Sequence, residues 1–217
     1  HAGGRDVYLI FEPMAAAIGM GIPVEDPTGN MVVDIGGGTS DIAVIALNGI
    51  ACQNSVRTAG DEMDEAIIRY MRQMYNLGVG PTTAEQIKIN IGSAFPLEEE
   101  LTMEVKGHDH IAGMPRTVAI TSEEIREALN EPITAIIDAI KDTLSHTPPE
   151  LSADIYDKGI IMTGGGSLLR GFDSKIRQVT GLSVNVIDDS LICVCKGTAR
   201  ILEDLEKYRP VLIASSN

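Results

Sequence analysis

Met31-Val32-Val33-Asp34-Ile35-Gly36-Gly37-Gly38-Thr39-Ser40-Asp41-Ile42 is the stretch on which the fold turns. An apolar, β-branched run carries an acid near its end, three glycines follow, and a hydroxyl leads into a second apolar run, the pattern of strand, turn and strand. Consecutive glycines place no Cβ in the way, so their backbone N–H groups can converge into a concavity for an anion. Asp34 stands beside that loop, where it can hold Mg²⁺ through water, because Mg²⁺ takes oxygen ligands and keeps much of its own shell. The plainer reading is a glycine-rich hairpin turn with an incidental acid. A Walker A loop is excluded, since no Gly-Lys-Ser/Thr follows, and so is a dinucleotide fingerprint, which would open a helix.

A second glycine run, Met162-Thr163-Gly164-Gly165-Gly166-Ser167-Leu168, follows a strand-like segment and precedes a helix-like one. Such a corner lets a nucleotide's base, ribose or phosphate approach backbone and helix N-terminus, though a tight βα turn explains it equally well when taken alone. Around these two runs, strands are expected at Asp6–Ile10, Ile42–Leu47 and Ile50–Val56, with a type I′ turn at Asn48-Gly49. A helix from Asp61 places Met63, Ile67, Tyr70, Met71 and Met74 on one face, the methionines as packing, and a second is capped by Thr82 and stopped by Pro96. Strands over Leu101–Lys106 and Arg116–Ile120 precede one long helix from Ser122 to the Pro148-Pro149 pair. Strands at Gly159–Met162 and Ser183–Ile187 alternate with helices over Leu168–Val179 and Leu191–Lys207.

The 217 residues carry a formal net charge of −14, which excludes a nucleic-acid binder needing a basic face. The chain is 44% hydrophobic with no Trp and 4% aromatics, so the core is built from aliphatic side chains. Of the cysteines Cys52, Cys193 and Cys195, the last two lie in an apolar run as buried, reduced thiols, which suits a reducing cytoplasm. No stretch reaches the roughly 20 apolar residues of a membrane span. Without an initiating Met and opening at once on Val7-Tyr8-Leu9-Ile10, the chain reads as a piece of a longer protein, with His1 a cloning remnant. His108-Asp109-His110 reads as a solvated loop more readily than as a metal site, and Glu98-Glu99-Glu100 as a solvated turn.

Three segments resemble, in order and spacing, the connecting, second-phosphate and adenosine motifs of the actin, Hsp70 and sugar-kinase superfamily. They are Ile10-Phe11-Glu12-Pro13-Met14-Ala15-Ala16-Ala17-Ile18-Gly19, Val33 to Thr39, and Met162 to Leu168. Within it, Met31–Gly49, Gly60–Ile68, Ala94-Phe95-Pro96, Asn130-Glu131-Pro132 and Pro148-Pro149-Glu150-Leu151 look like the bacterial MreB cell-shape family, over about Asp6 to Leu205. The resemblance implies an α/β, actin-like (ribonuclease H-like) ATPase domain half, with residues 1–60 and 121–217 as large subdomain and terminal helix. Residues 61–120 would be an inserted small α+β subdomain.

It also implies roles. Glu12 matches the residue that polarises the attacking water and Thr39 the hydroxyl that helps place it. Gly36, Gly37 and Gly38 match the phosphate loop, Asp34 the acid on the Mg²⁺ side, and Gly60-Asp61 a turn near the nucleotide. Glu85 and Lys88 match the helix residues that address ribose and adenine. Gly164, Gly165, Gly166, Ser167 and Leu168 match the opposite wall. Without the resemblance, Glu12 is a helix-start acid and Glu85–Lys88 an exposed helix pair. Phe11 stands where relatives often carry an acid, and Ala59 where they often carry Gly.

The implied cofactors are ATP or ADP with Mg²⁺. The implied partners are further copies of the same chain in a filament and the cell-shape and wall-synthesis machinery, in the cytoplasm at the inner face of the membrane. Membrane contact would come only through the N-terminal lobe that these residues do not include. The first phosphate motif belongs to that lobe too, so these residues alone are expected to bind nucleotide weakly and not to hydrolyse it efficiently. An Hsp70-like chaperone ATPase is the alternative. A small-molecule kinase finds no assignable catalytic Asp, and a non-enzymatic adaptor is disfavoured by intact Glu12, Asp34 and Thr39.

Overall fold

The computed structural model describes residues 6–213, so His1 and its reading as a cloning remnant fall outside it. Asp6–Ile10 does not form the expected strand; Leu9 makes one antiparallel bridge to Ile213, and no adjacent strand among the described residues offers a ladder. Helix α1 (Glu12–Met20) starts with Pro13 in its first turn, where a missing N–H costs nothing, and ends at Gly21 with φ 79°.

Strands β1 (Asn30–Ile35), β2 (Ser40–Ala46) and β3 (Gly49–Val56) follow in antiparallel order. Their hairpin turn is centred one residue earlier than the Asn-Gly pair suggests. Leu47 and Asn48 take φ 51° and 60°, and Gly49 opens β3 opposite Ala46. The Leu47 and Asn48 N–H groups donate to the carbonyls of Asp26 and Val24, both at 2.8 Å, which ties the turn to the preceding loop.

Helix α2 (Gly60–Tyr75), strand β4 (Leu77–Gly78), helix α3 (Pro81–Ile91) and strands β5 (Thr102–Asp109) and β6 (Pro115–Thr121) come next. Gly80, not Thr82, is the α3 N-cap, because Pro81 takes the first helical position. The long helix expected from Ser122 is two, α4 (Ser122–Ala128) and α5 (Asn130–His146), hinged at Leu129. Pro132 has no N–H for the Ala128 carbonyl and its ring crowds that oxygen, so the helix breaks there. Helix α6 (Pro149–Lys158), which the sequence reading did not anticipate, leads into β7 (Ile160–Thr163). A 3-10 turn over Gly165–Leu168 precedes α7 (Phe172–Thr180), strand β8 (Val184–Val186), α8 (Cys193–Glu203) and α9 (Leu205–Tyr208). The two last helices expected from sequence therefore start late and the second is interrupted. Gly171 at φ 68° delays α7, and Asp204 breaks the chain after α8 while capping α9 through the Lys207 N–H.

One sheet has the order β3-β2-β1-β7-β8, with β1, β7 and β8 parallel; the other has the order β4-β5-β6. Both faces of β1 and β2 are covered, which explains their unbroken apolar runs. Met31, Val33, Ile35, Ile42 and Val44 face one core with α2 and α5, while Val32, Ala43 and Ile45 face α1 and α8. The first core continues through Met63, Ile67 and Met71 into Leu77, Ile87, Val105 and Ile120, so the small sheet shares it. Each such aliphatic side chain contributes about 1.5–3 kcal/mol by burial. Met74 is 63% exposed and does not pack as expected. Helices α1 and α8 meet backbone to backbone, since a Cβ on Gly19 would lie 1.9 Å from the Cys193 carbonyl oxygen. Cys193 is buried there, but Cys195 is exposed, because residues two apart on a helix face different ways.

Candidate functional site

Strands β1 and β7 are parallel neighbours, with Asp34 beside Thr163, so the two glycine turns emerge side by side at their carboxyl ends. The outer ends of parallel strands are where open α/β sheets form ligand crevices. Chain reversal through β2 and β3 then brings the start of α2 to the first turn. Gly60 N–H donates to the Gly36 carbonyl at 3.1 Å and Asp61 N–H to that of Gly37 at 2.8 Å. The turn itself is closed by Gly36 N–H donating to the Thr39 carbonyl at 2.9 Å. From the small sheet's side, Lys88 on α3 donates to the Gly60 carbonyl and pairs with Asp64 on α2, both at 2.9 Å.

These elements enclose a cleft of about 660 Å³ lined by Gly36, Gly37, Gly60, Asp61, Glu85, Lys88, Gly165, Gly166 and Leu168. Its size falls within the range of small-molecule sites, about 300–1,000 Å³. Also in the lining are Met63, which the sequence reading took as packing, and Asp64, Ile89, Leu169, Arg170 and Leu191, which it did not assign to the site. Asp64 could have been found from its place one turn after Asp61, but its partner Lys88 is 24 residues away. Lys88 is thus not the exposed partner of Glu85; its side chain is only 16% exposed. Arg170 reaches across to the Ile89 carbonyl at 2.7 Å, and Ser93 bridges Arg170, tying the second turn to the end of α3.

Gly38, Thr39, Gly164, Ser167, Glu12 and Asp34 lie outside that lining. The Ser167 hydroxyl is buried and donates to the Gly164 carbonyl at 2.7 Å. Gly164 holds φ 81°, and a Cβ there would meet the Ile35 carbonyl oxygen at 2.3 Å and Asp34 Oδ1 at 2.4 Å. Its bareness therefore makes room for β1 and the Asp34 carboxylate. Of the two departures, Ala59 is buried at the α2 N-cap with φ −156°, a negative value that alanine adopts, and Phe11 is exposed.

Asp34 is 5% exposed, and its pKa is pushed up to about 6, first by burial and then by the carboxylates of Glu12 and Asp41. Asp41 faces it directly across the β1–β2 ladder, an unfavourable like-charge pairing. A cation with oxygen ligands would relieve both effects. Among the described residues no three His, Cys, Asp or Glu side chains converge as a direct metal site, so the donors suit an ion held through one carboxylate and water. The α2 N-terminus adds a favourable dipole for an anion, which Asp61, lying over Gly37, partly offsets, while its Gly60 and Asp61 N–H groups are taken by the first turn.

The model of the family described as MreB/Mbl protein matches residues 1–210. The chain is 50% identical over 207 residues to the cell shape-determining protein MreB of Escherichia coli, covering 95% of this chain and 60% of that protein. Among solved structures it is similar to MreB5 of Spiroplasma citri bound to ADP, with TM-score 0.87 and 39% identity over 90% of this chain and 60% of that one. It is also similar to the MamK filament solved by cryo-EM, with TM-score 0.70 and 25% identity over 92% of this chain and 60% of that one. The actin-like architecture expected from sequence is shown by these likenesses, and the Hsp70-like chaperone alternative gains no support from them. The chain spans about 60% of the length of the relatives it matches.

Proposed function

The chain belongs to the MreB/Mbl family, and on that premise we propose that it is one lobe of an actin-like, filament-forming cell-shape protein that binds and hydrolyses ATP. The observation that carries this reading is the convergence of two glycine turns, 128 residues apart in the chain, with the α2 N-terminus on one cleft. Gly36 and Gly37 present backbone to the phosphates, Gly165, Gly166 and Leu168 line the nucleoside side, and Glu85 addresses the ribose. Lys88 acts on the phosphate loop through Gly60. Asp34 would hold Mg²⁺ through water, and the ion would supply charge neutralisation for the phosphates. Glu12, whose carboxylate helps raise the pKa of Asp34, orients the attacking water and accepts its proton, with Thr39 fixing its position.

Self-association into filaments is supported by the MamK likeness, and the cell-shape role by the names of the family's members. The protein works in the cytoplasm at the inner membrane face with the wall-synthesis machinery; no helix among the described residues is long and apolar enough to cross a membrane. Sedimentation and phosphate release in Mg·ATP, on a chain extended to the relatives' full length, test the reading. Wild type should pellet and release phosphate, while Glu12→Ala should pellet but release phosphate about 10²–10⁴-fold more slowly. Phosphate release at the wild-type rate by Glu12→Ala removes Glu12 from the mechanism, and failure to sediment in any nucleotide removes the filament.

A further inference from the structure

The His108-Asp109-His110 turn has no part in the cleft. Asp109 is 7% exposed, and its Oδ1 accepts the backbone N–H groups of Ile111 and Ala112 at 2.8 and 2.9 Å, its Oδ2 the Arg116 guanidinium at 3.1 Å. That occupied carboxylate leaves the histidines without a third metal ligand. His110 is itself held in place: its N–H donates to the Asn76 carbonyl at 2.9 Å, and its ring lies over Gly78, where a Cβ would come within 2.8 Å of Nε2. The ring thereby borders a second cavity, of about 620 Å³, at the C-terminal end of α2, lined by Arg69, Arg72, Gln73, Asn76 and His110.

Every side chain in that lining can donate a hydrogen bond and none is a carboxylate, in a chain of net charge −14. Arg72 has no ion-pair partner among the described residues. Arg69 is joined by Glu62 at 3.1 Å and Glu65 at 3.8 Å, both toward the α2 N-terminus and outside the cavity lining. The Arg72 guanidinium, free among the described residues, is a fork that matches two phosphate oxygens, Arg69 adds a second positive charge although both its terminal nitrogens also donate to Glu62, and the amide and imidazole donors serve the remaining lone pairs. A carboxylate offers two acceptor oxygens where a phosphate group offers three. We propose that this cavity binds a phosphate-type oxyanion, carried by a soluble phosphorylated molecule or by an anionic phospholipid headgroup.

Amide-resolved NMR of the 217-residue chain, titrated with pyrophosphate at about 50 mM salt, where screening is weak, tests it. Saturable shifts are expected at Gln73, Asn76 and His110, with an Arg72→Gln chain binding about tenfold more weakly and Arg69→Gln similarly affected. Unchanged resonances elsewhere in Arg72→Gln report an intact fold, since Gln is a good helix former. Shifts confined to the glycine turns, no shifts at all, or wild-type affinity in Arg72→Gln overturn the proposal. Co-sedimentation with phosphatidylglycerol–phosphatidylcholine vesicles that is lost in Arg72→Gln identifies a headgroup as the source. Pyrophosphate shifts without co-sedimentation identify a soluble ligand.

Discussion

Gly36–Gly38 and Gly164–Gly166 are spelled alike and sit side by side at the ends of β1 and β7, yet their surroundings differ. A Cβ on Gly37 would meet only the Asp61 carboxylate, at 3.5 Å or more, and one on Gly36 the Thr39 carbonyl oxygen at 3.4 Å. A Cβ on Gly164 or Gly166 would lie 2.3 Å from Ile35 atoms. The first turn is bare toward the cleft; in the second, Gly164 and Gly166 are bare toward Ile35, and only Gly165, whose Cβ would meet Leu191 Cδ2 at 3.1 Å, resembles the first turn. Identical triplets thus have two physical causes: access for a ligand in one, and close approach of a loop to a strand in the other.

The largest effect should come from Gly164→Ala. Its φ of 81° and ψ of 163° fall in a region that essentially only glycine occupies, and the added methyl clashes with backbone. Strain and overpacking together should cost about 3 kcal/mol or more, read as a fall in the urea midpoint. A variant as stable as wild type would erase the contrast between the turns.

Next is Asp34, for which Gly164 makes room. Its carboxyl is raised from 3.8 to about 6 in the fold, so the native state binds the proton more tightly than the unfolded chain. Stability contributed by the protonated form is full below pH 4 and is lost as pH rises toward 6. In EDTA at pH 7.5, Asp34→Asn should therefore stabilise the protein by about 2–3 kcal/mol, a gain that vanishes near pH 4. Mg²⁺ should narrow the difference, and a pH-independent gain would detach it from ionisation.

Lys88→Met should cost about 1–2 kcal/mol by leaving Asp64, 15% exposed, without its counter-ion. Adding Asp64→Leu should recover much of that loss; no recovery would mean that Lys88 stabilises chiefly through the Gly60 carbonyl. The smallest stability change belongs to Gly37→Ala, within about 0.5 kcal/mol of wild type. Its nucleotide affinity should nevertheless fall by about tenfold, since the methyl points into the cleft. A stability loss rivalling that of Gly164→Ala would show that the first turn too is bare for packing.

Much of this architecture was legible locally. Short apolar, β-branched runs locate β1, β2 and β3, helical spacing locates α2, and the two glycine runs mark the cleft from either side. What escaped was decided by neighbours distant in sequence. The hairpin turn shifts to Leu47-Asn48 because Val24 and Asp26 accept its N–H groups. Glu100, read as part of a solvated turn, is bound by Arg126 at 2.6 Å and by the Ser122 hydroxyl. The helix break before Pro132 was the exception, a local signal hidden inside an otherwise continuous apolar period.

By itself the sequence determined most of the strands and helices, though not α6 or the fate of Asp6–Ile10, and that two turns could admit an anion, since these follow from interactions within a few residues. Only the tertiary structure decided that β1 and β7 pair in parallel, that Lys88 answers Asp64, and that Gly164 clears space for Asp34. Those outcomes depend on packing of surfaces far apart in the chain, whose free energy appears only once the whole core has closed.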